Sequence, residues 1–354
     1  MTIEICILQN NDRKEWDNII SRSSQSTIFH RWNWLKIAEK HSRMKFYPLM
    51  GIKDGVPIGV YPIFFQRIGL INMVFSPPPH TVMFYLGPVL IEYESLKQEN
   101  REKLFVAFHN SVETFIKKDL KAHYVNISLP PNLQDPRPYS WSGYSVRPNY
   151  DYTINISKGI ESLYQSLDRK QRVALKNANK KGMRFEIGAK KEYEKILDLM
   201  DVRYSEQGQI ITVPRQYFLD LHDEYKDLLN IFVVKVDGEI VTGSIRIHDG
   251  DTLYGWFGNS KPRISISPSP NHFLFWETIR YASENGMKYY TTLGAAGDKR
   301  LHSFYSERLN PELKIRYVAT KKTFLAGIFE KSYTHIIKPL RGRIKYLSTY
   351  DLLR

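Results

Sequence analysis

The chain has 354 residues, 42% of them apolar, with 18 Pro and 20 Gly, proportions that exclude disordered, collagen-like and low-complexity classes. Subtracting 37 acidic from 51 basic residues leaves +14, and the length favours two domains over one. The longest nearly uncharged apolar stretch, 81–91, falls short of the roughly 18 residues that a bilayer span requires.

Glu4 sits within the first apolar run and no basic segment precedes a long apolar one, so no secretory signal is expected and a cytoplasmic place is. The single cysteine, Cys6, lies in the alternation Ile3, Ile5, Ile7, which reads as a strand. Alone, it can form neither an internal disulfide nor a cysteine-based zinc site.

Helical patterns follow at about 13–20 and through His30, Arg31, Trp32, Asn33 and Trp34 to Lys40. Residues 47–52 and 57–65 flank Asp54-Gly55, and Asp-Gly between two apolar runs signals a hairpin. A long loop around Ser76-Pro77-Pro78-Pro79 leads to an expected strand at 83–90, a helix at about 98–118 and a strand at 124–128. No period holds over 130–150, which is read as the domain boundary. The order then begins again. Helices over 160–181 and 191–207 precede a strand at 231–236, the turn Asp237-Gly238, a strand at 240–248, the turn Asp249-Gly250 and a strand at 252–257. A Pro/Ser-rich loop, a helix at 271–285 and a strand at 288–293 complete the second unit.

Gly51-Ile52-Lys53-Asp54-Gly55 resembles Val234-Lys235-Val236-Asp237-Gly238, and both are followed by strand, loop, long helix and strand. An internal duplication is the expectation. The charge is equally organised. Residues 169–184 hold seven basic side chains and no acid, and 321–354 hold eight against Glu330 and Asp351, which together supply +13 of the +14. Two such patches suit a polyanion: a nucleic acid such as tRNA, a nucleotide-linked sugar phosphate or an acidic membrane surface.

Helix, antiparallel hairpin, loop, helix and strand, twice over, resembles the GNAT acyltransferase fold in tandem, as in the Fem-type aminoacyl and peptidyl transferases. Two motifs carry the resemblance. The run from Leu167 through Arg169, Lys170, Arg172, Val173, Lys176, Ala178, Lys180 and Gly182 to Phe185 is similar to a Fem-type basic helix before a strand. Asn271, Trp276, Ile279, Ala282 and Gly286, then 290–294, then 304–309, resemble that family's helix, strand, glycine turn and phenylalanine-led segment. The likeness is best over 160–318 and rests on topology over 1–150. The chain departs from the pattern in three places. Tyr305 follows Phe304 where a lysine is common, no acid precedes Gly294 in the turn Leu293-Gly294-Ala295-Ala296-Gly297-Asp298, and the Gln/Arg-x-x-Gly-x-Gly/Ala phosphate loop of ordinary GNAT enzymes is missing.

The resemblance implies an α+β fold of two tandem GNAT-like domains, 1–150 and 151–320, each a mostly antiparallel sheet flanked by helices, with a basic amphipathic tail at 321–354. Acyl transfer to an amine needs a positioned carbonyl, a proton acceptor and donors for the oxyanion. No Gly-x-Ser-x-Gly elbow and no metal spacing among the histidines compete with that reading, and no cofactor is expected.

Tyr254 and Trp256 share one strand face and form either an aromatic wall for the acyl group or core. Asn271, Phe304 and Tyr305 lie near the expected cleft. Arg172 and Lys176, four apart on one helix face with Arg169 beside them, suit a phosphate of nucleotide or tRNA. His302 and Glu277 are proton acceptors by type. In the tail, Leu325, Phe329, Tyr333, Ile336, Leu340, Ile344 and Leu347 recur every three or four residues, interrupted by Pro339, among Lys331, Lys338, Arg341, Arg343 and Lys345. Such a segment either packs on the protein or lies on an anionic leaflet at the inner face of the cell membrane.

The resemblance implies aminoacyl-tRNA as donor and an amine of a cell-envelope precursor as acceptor. Two alternatives stay open: an acyl-CoA or acyl-carrier-protein dependent transferase acting on a sugar amine or small amine, and a non-catalytic nucleic-acid or membrane-binding module.

Overall fold

The computed structural model describes residues 2–206, 213–258, 269–294, 297, 299–306 and 308–332. The chain divides into two units. Unit 1 takes Met1–Asn149 and the segment from Ile315 onward, and unit 2 takes Tyr150–Lys314.

Unit 1 runs β1 (Glu4–Ile7), α1 (Arg13–Ser21), α2 (Trp32–Ser42), β2 (Lys45–Lys53), β3 (Val56–Ile68), β4 (Ile71–Ser76), β5 (Val89–Leu90), α3 (Gln98–Lys118), β6 (Tyr124–Ser128) and α4 (Arg137–Trp141). β7 (Ser145–Asn155) leads into unit 2, which holds α5 (Ile160–Ser166), α6 (Arg169–Lys180), β8 (Arg184–Ile187), α7 (Lys190–Glu206), α8 (Arg215–Tyr225), β9 (Leu229–Val236), β10 (Glu239–Asp249), β11 (Thr252–Gly258), α9 (Pro270–Glu284), β12 (Tyr289–Thr292) and α10 (Lys299–Ser306). β13 (Glu312–Lys322) and α11 (Phe324–Ser332) follow.

The duplication is visible in the pairing. In unit 1, β1 to β4 are successive antiparallel neighbours, and α3 crosses over to place β6 parallel to β4. In unit 2, β8 to β11 repeat that antiparallel run, and α9 crosses over to place β12 parallel to β11. Both hairpin turns have the same geometry. Asp54 and Gly55 lie at φ 51° and 77°, Asp237 and Gly238 at φ 50° and 82°, the two left-handed positions that an Asp-Gly pair tolerates at least cost.

In each unit an apolar helix stripe covers the strands. α3 buries Leu104, Phe105, Phe108, Val112 and Ile116 against a core that includes Leu49, Tyr61 and Ile63. α9 buries Phe275, Ile279 and Ala282 against Phe232, Leu253 and Tyr290.

Four expectations change. The helix over 160–181 is broken at Leu167, whose ψ of 144° is extended, and Asp168 restarts the chain by accepting the Gln171 N–H at 2.7 Å. Ile71–Ser76, expected as loop, is β4, and β7 forms over the second half of the presumed boundary segment. Of the strand expected at 83–90, only Val89–Leu90 pairs. α8, α10 and β13 carried no sequence expectation. The tail is described only as far as α11, so residues 333–354 lie outside the described residues.

Candidate active site

Among the described residues each unit holds one parallel pair, β4–β6 in unit 1 and β11–β12 in unit 2, and the end of each pair is a place where a group could enter between the strands. In unit 1 that place is filled by the chain itself. Ser76, at the end of β4, donates to Pro62 O at 2.6 Å and accepts the Gly87 N–H at 2.9 Å. At the end of β6, Ser128 O accepts the Leu86 N–H at 2.8 Å, and Ser128 Oγ donates to Phe84 O at 2.8 Å. Residues 84–87 thus tie both strand ends together and satisfy their polar groups.

Unit 2 differs. β11 and β12 pair from Thr252–Tyr289 to Gly255–Thr292, after which β12 ends while β11 continues through Gly258. On the other side of β11, Gly255 faces Arg246 and Phe257 faces Ile245, so Trp256 is the extra residue of a bulge. Beyond Gly255, β11 has no strand partner on the β12 side among the described residues. Backbone N–H groups on such an edge can hold a carbonyl oxygen. Glycines frame this stretch. A Cβ on residue 258, at φ 110°, would lie 2.6 Å from Ser244 Cα, and one on residue 255 would lie 2.7 Å from Tyr290 Oη.

The face under α9 is unusually polar. Thr242, Ser244 and Arg246 alternate along β10 and are at most 2% exposed, as are Tyr290 and Thr292 of β12. Thr242 Oγ1 donates to Asn271 Oδ1 at 2.6 Å, which fixes the first turn of α9. The Arg246 guanidinium carbon is 5.9 Å from the Tyr290 ring centroid. Ser244 Oγ and Tyr290 Oη are buried and find no hydrogen-bond partner among the described residues. Each such hydroxyl costs about 1–3 kcal/mol until something bonds it.

Just past the same end of β12, Asp151 of β7 is 2% exposed and accepts the Gly294 N–H. The acid missing from the glycine turn in sequence is therefore supplied across the sheet. Next to it the Tyr152 N–H donates to Thr292 Oγ1 at 2.9 Å, and Tyr152 Oη bonds His302 Nδ1 at 2.6 Å. His302 is exposed.

The remaining expected residues scatter around this centre. Trp256 is buried beside Phe218 of α8, ring centroids 6.4 Å apart, which is packing rather than a free wall. Tyr254 is half-buried, and burial pushes its hydroxyl up to about 12. Tyr305 packs edge-on to Phe275 and Phe304 at 5.5 and 4.9 Å. Phe304 lies under the Arg308 guanidinium at 4.3 Å, and Arg308 Nη2 donates to His272 Nε2 at 3.1 Å. Burial and that guanidinium push His272 down to about 4, so its ring is neutral. Glu277 is buried in the middle of α9 and accepts from Arg280 Nε at 2.9 Å.

On α6, Arg172 Nη1 donates to Leu167 O at 2.6 Å and Gln165 O at 3.0 Å, capping the end of α5, whereas Arg169 and Lys176 are exposed. Ala295, Ala296 and Asp298 of the glycine turn lie outside the described residues. Sequence reasoning passed over Ser244, Arg246, Tyr290 and Asp151. Arg246 between Ile245 and Ile247 was the available signal, a charge flanked on both sides by isoleucine within a strand. No group of His, Cys, Asp and Glu suited to a metal ion occurs among the described residues.

Two β-β-β-α-β units, with the second parallel pair parted at a bulge, define a tandem acyltransferase fold of the GNAT type. Residues 163–300, less than half of the chain, match the family model described as "Acetyltransferase (GNAT) domain", a match that supports acyltransferase activity. Its fold is similar to that of FemX, at 15% identity over 94% of this chain and 99% of that one with a TM-score of 0.63. It is also similar to the C-terminal domain of a putative lysylphosphatidylglycerol synthetase from Agrobacterium fabrum, at 13% identity over 92% and 96% with a TM-score of 0.53. A tandem GNAT protein from the clavulanic acid biosynthesis pathway aligns at 10% identity over 90% and 98%, TM-score 0.52. No curated protein matches the sequence significantly.

Proposed function

We propose that the chain forms an amide by transferring an aminoacyl group from aminoacyl-tRNA to an amine of a cell-envelope precursor, working in the cytoplasm where that donor is made. The observation that carries the reading is the parting of β11 and β12 beside the buried hydroxyls of Ser244 and Tyr290. A carbonyl laid along β11 past Gly255 would meet backbone N–H groups as its oxygen gains charge. The amine nitrogen attacks the carbonyl carbon, the C–N bond forms, and the ester C–O bond breaks with the proton finally on the departing ribose oxygen. Asp151 and His302, held by Gly294 and Tyr152 just past the end of β12, are the groups we assign to take the ammonium proton first.

The exposed basic face of α6 supports a polyanionic donor, with Arg169 and Lys176 available to phosphates while Arg172 is engaged with backbone carbonyls. The fold shared with FemX supports the same reading. A second reading, transfer from acyl-CoA, is favoured by the acetyltransferase family match. Against it, α9 opens with Ser269-Pro270-Asn271 instead of a glycine-rich phosphate loop. Incubating the chain with charged tRNA or acyl-CoA and a set of amines, and weighing the amide by mass spectrometry, separates the two. Product from charged tRNA alone supports the first reading; product from acyl-CoA alone replaces it with the second.

A further inference from the structure

α11 presents an apolar face to solvent. Phe324 is 86% exposed, and Leu325 and Ile328 are each 48% exposed. On a helix these three fall within an arc of about 100°, because Phe324 and Ile328 are four apart and Leu325 is adjacent. Ala326, on the opposite side, is 3% exposed. The helix is anchored at its start. The Thr323 N–H donates to His123 O at 2.8 Å, Thr323 O accepts the Gly327 N–H at 3.0 Å, and Thr323 Oγ1 accepts the Ala326 N–H at 3.4 Å. The apolar arc is therefore held outward by a fixed helix start and a buried opposite face.

We propose that this face is a docking surface for an anionic lipid bilayer. The charge that accompanies it in sequence fits that occupant. From Lys321 to the last residue, eight basic side chains stand against Glu330 and Asp351, and Lys331, then Lys338, Arg341, Arg343 and Lys345, come after the exposed apolar residues in sequence. Large aliphatic side chains next to clustered lysine and arginine are what an interfacial segment needs: apolar groups enter the acyl boundary and cations meet lipid phosphates. A nucleic acid would use the cations and gain nothing from Leu325 and Ile328. Neither charge nor apolar area suffices alone, and the two together make stable but reversible attachment. Among the described residues no helix is long and apolar enough to span a membrane.

The test is sedimentation of the full chain with vesicles of phosphatidylcholine containing 30% phosphatidylglycerol, with pure phosphatidylcholine vesicles and a short RNA as comparison arms. Binding to the anionic vesicles, weakened at least about tenfold in the variant F324S/L325S/I328S and about fivefold for each of K338E, R341E and R343E at low salt, is the expected result. Replacing exposed side chains should leave the melting temperature unchanged, which separates lost docking from lost folding. Three results would overturn the proposal: equal binding by the triple-serine variant, binding to RNA without binding to vesicles, or a dimer that the triple-serine variant dissolves.

Discussion

The hydroxyl of Tyr290 occupies the space that a side chain at residue 255 would need: Tyr290 Oη lies 2.7 Å, and Cζ 3.3 Å, from the position of a Cβ on Gly255. The glycine is thus required by the tyrosine, one strand over, at the last position where β11 pairs with β12. Gly255→Ala should destabilise the chain by about 1–3 kcal/mol through overpacking. Tyr290→Phe removes the offending oxygen, so G255A/Y290F should recover most of that loss in a urea melt. Equal destabilisation of the single and double variants would contradict the contact.

Arg172 and Lys176 look alike in sequence and differ in the fold. Because Arg172 bonds two carbonyls at the end of α5, Arg172→Ala should cost about 1–2 kcal/mol of stability. Arg169→Glu and Lys176→Glu, on exposed positions, should move stability by less than about 0.5 kcal/mol while weakening any polyanionic donor. Thermal melts beside filter binding of tRNA check both halves.

Acid should unfold unit 1 through a buried histidine. His30 is fully buried, with the Thr27 N–H donating to its Nδ1 and its Nε2–H donating to Leu86 O, and burial holds it down to about 4 from the ordinary 6.5. The folded ring stays neutral while the unfolded ring takes a proton as pH falls through 6.5. The stabilising contribution is thus complete above pH 6.5 and is lost progressively between 6.5 and 4, to a limit of about 3 kcal/mol. Urea midpoints at pH 7.5, 6 and 5 should fall accordingly, and His30→Gln should reduce that slope even if it lowers every midpoint, the remainder coming from His109, which burial likewise holds down to about 4.

Asp151 supplies from β7 the carboxylate that the glycine turn lacks locally. Asp151→Asn keeps the size and an acceptor oxygen but removes the charge, so the Gly294 N–H bond should survive in weakened form. Transfer is expected to fall by ten- to a hundredfold with a melting temperature within a few degrees of wild type. A pH–rate profile unchanged in shape would indicate that Asp151 only positions the turn, and one that loses its acid limb would indicate a proton acceptor.

What could be read from sequence followed from short-range rules. Asp54-Gly55 and Asp237-Gly238 announced their hairpins because only left-handed residues close such turns, and the repeated order around them announced the duplication. β4 escaped because Asn72 and the prolines after Ser76 resemble a loop, and of its two partners only β3 is near in sequence while β6 lies some fifty residues on. The run 84–87 was read as strand from its apolar residues, yet its backbone bonds go to the ends of β4 and β6. The site was less legible still. Ser244 and Tyr290 are ordinary residues in sequence and become notable only when burial leaves their hydroxyls unbonded. Arg172 was assigned to a ligand by its charge, and only the break at Leu167 reveals the carbonyls that claim it.

We propose amide formation beside the open edge of β11 in unit 2. The most direct measurement is the rate of amide product, followed by mass spectrometry with charged tRNA and an amine acceptor, for wild type and for S244A/Y290F. A fall of about a hundredfold or more in the double variant, with the fold intact by circular dichroism, is the predicted result. Undiminished transfer by that variant would place the chemistry elsewhere in the chain.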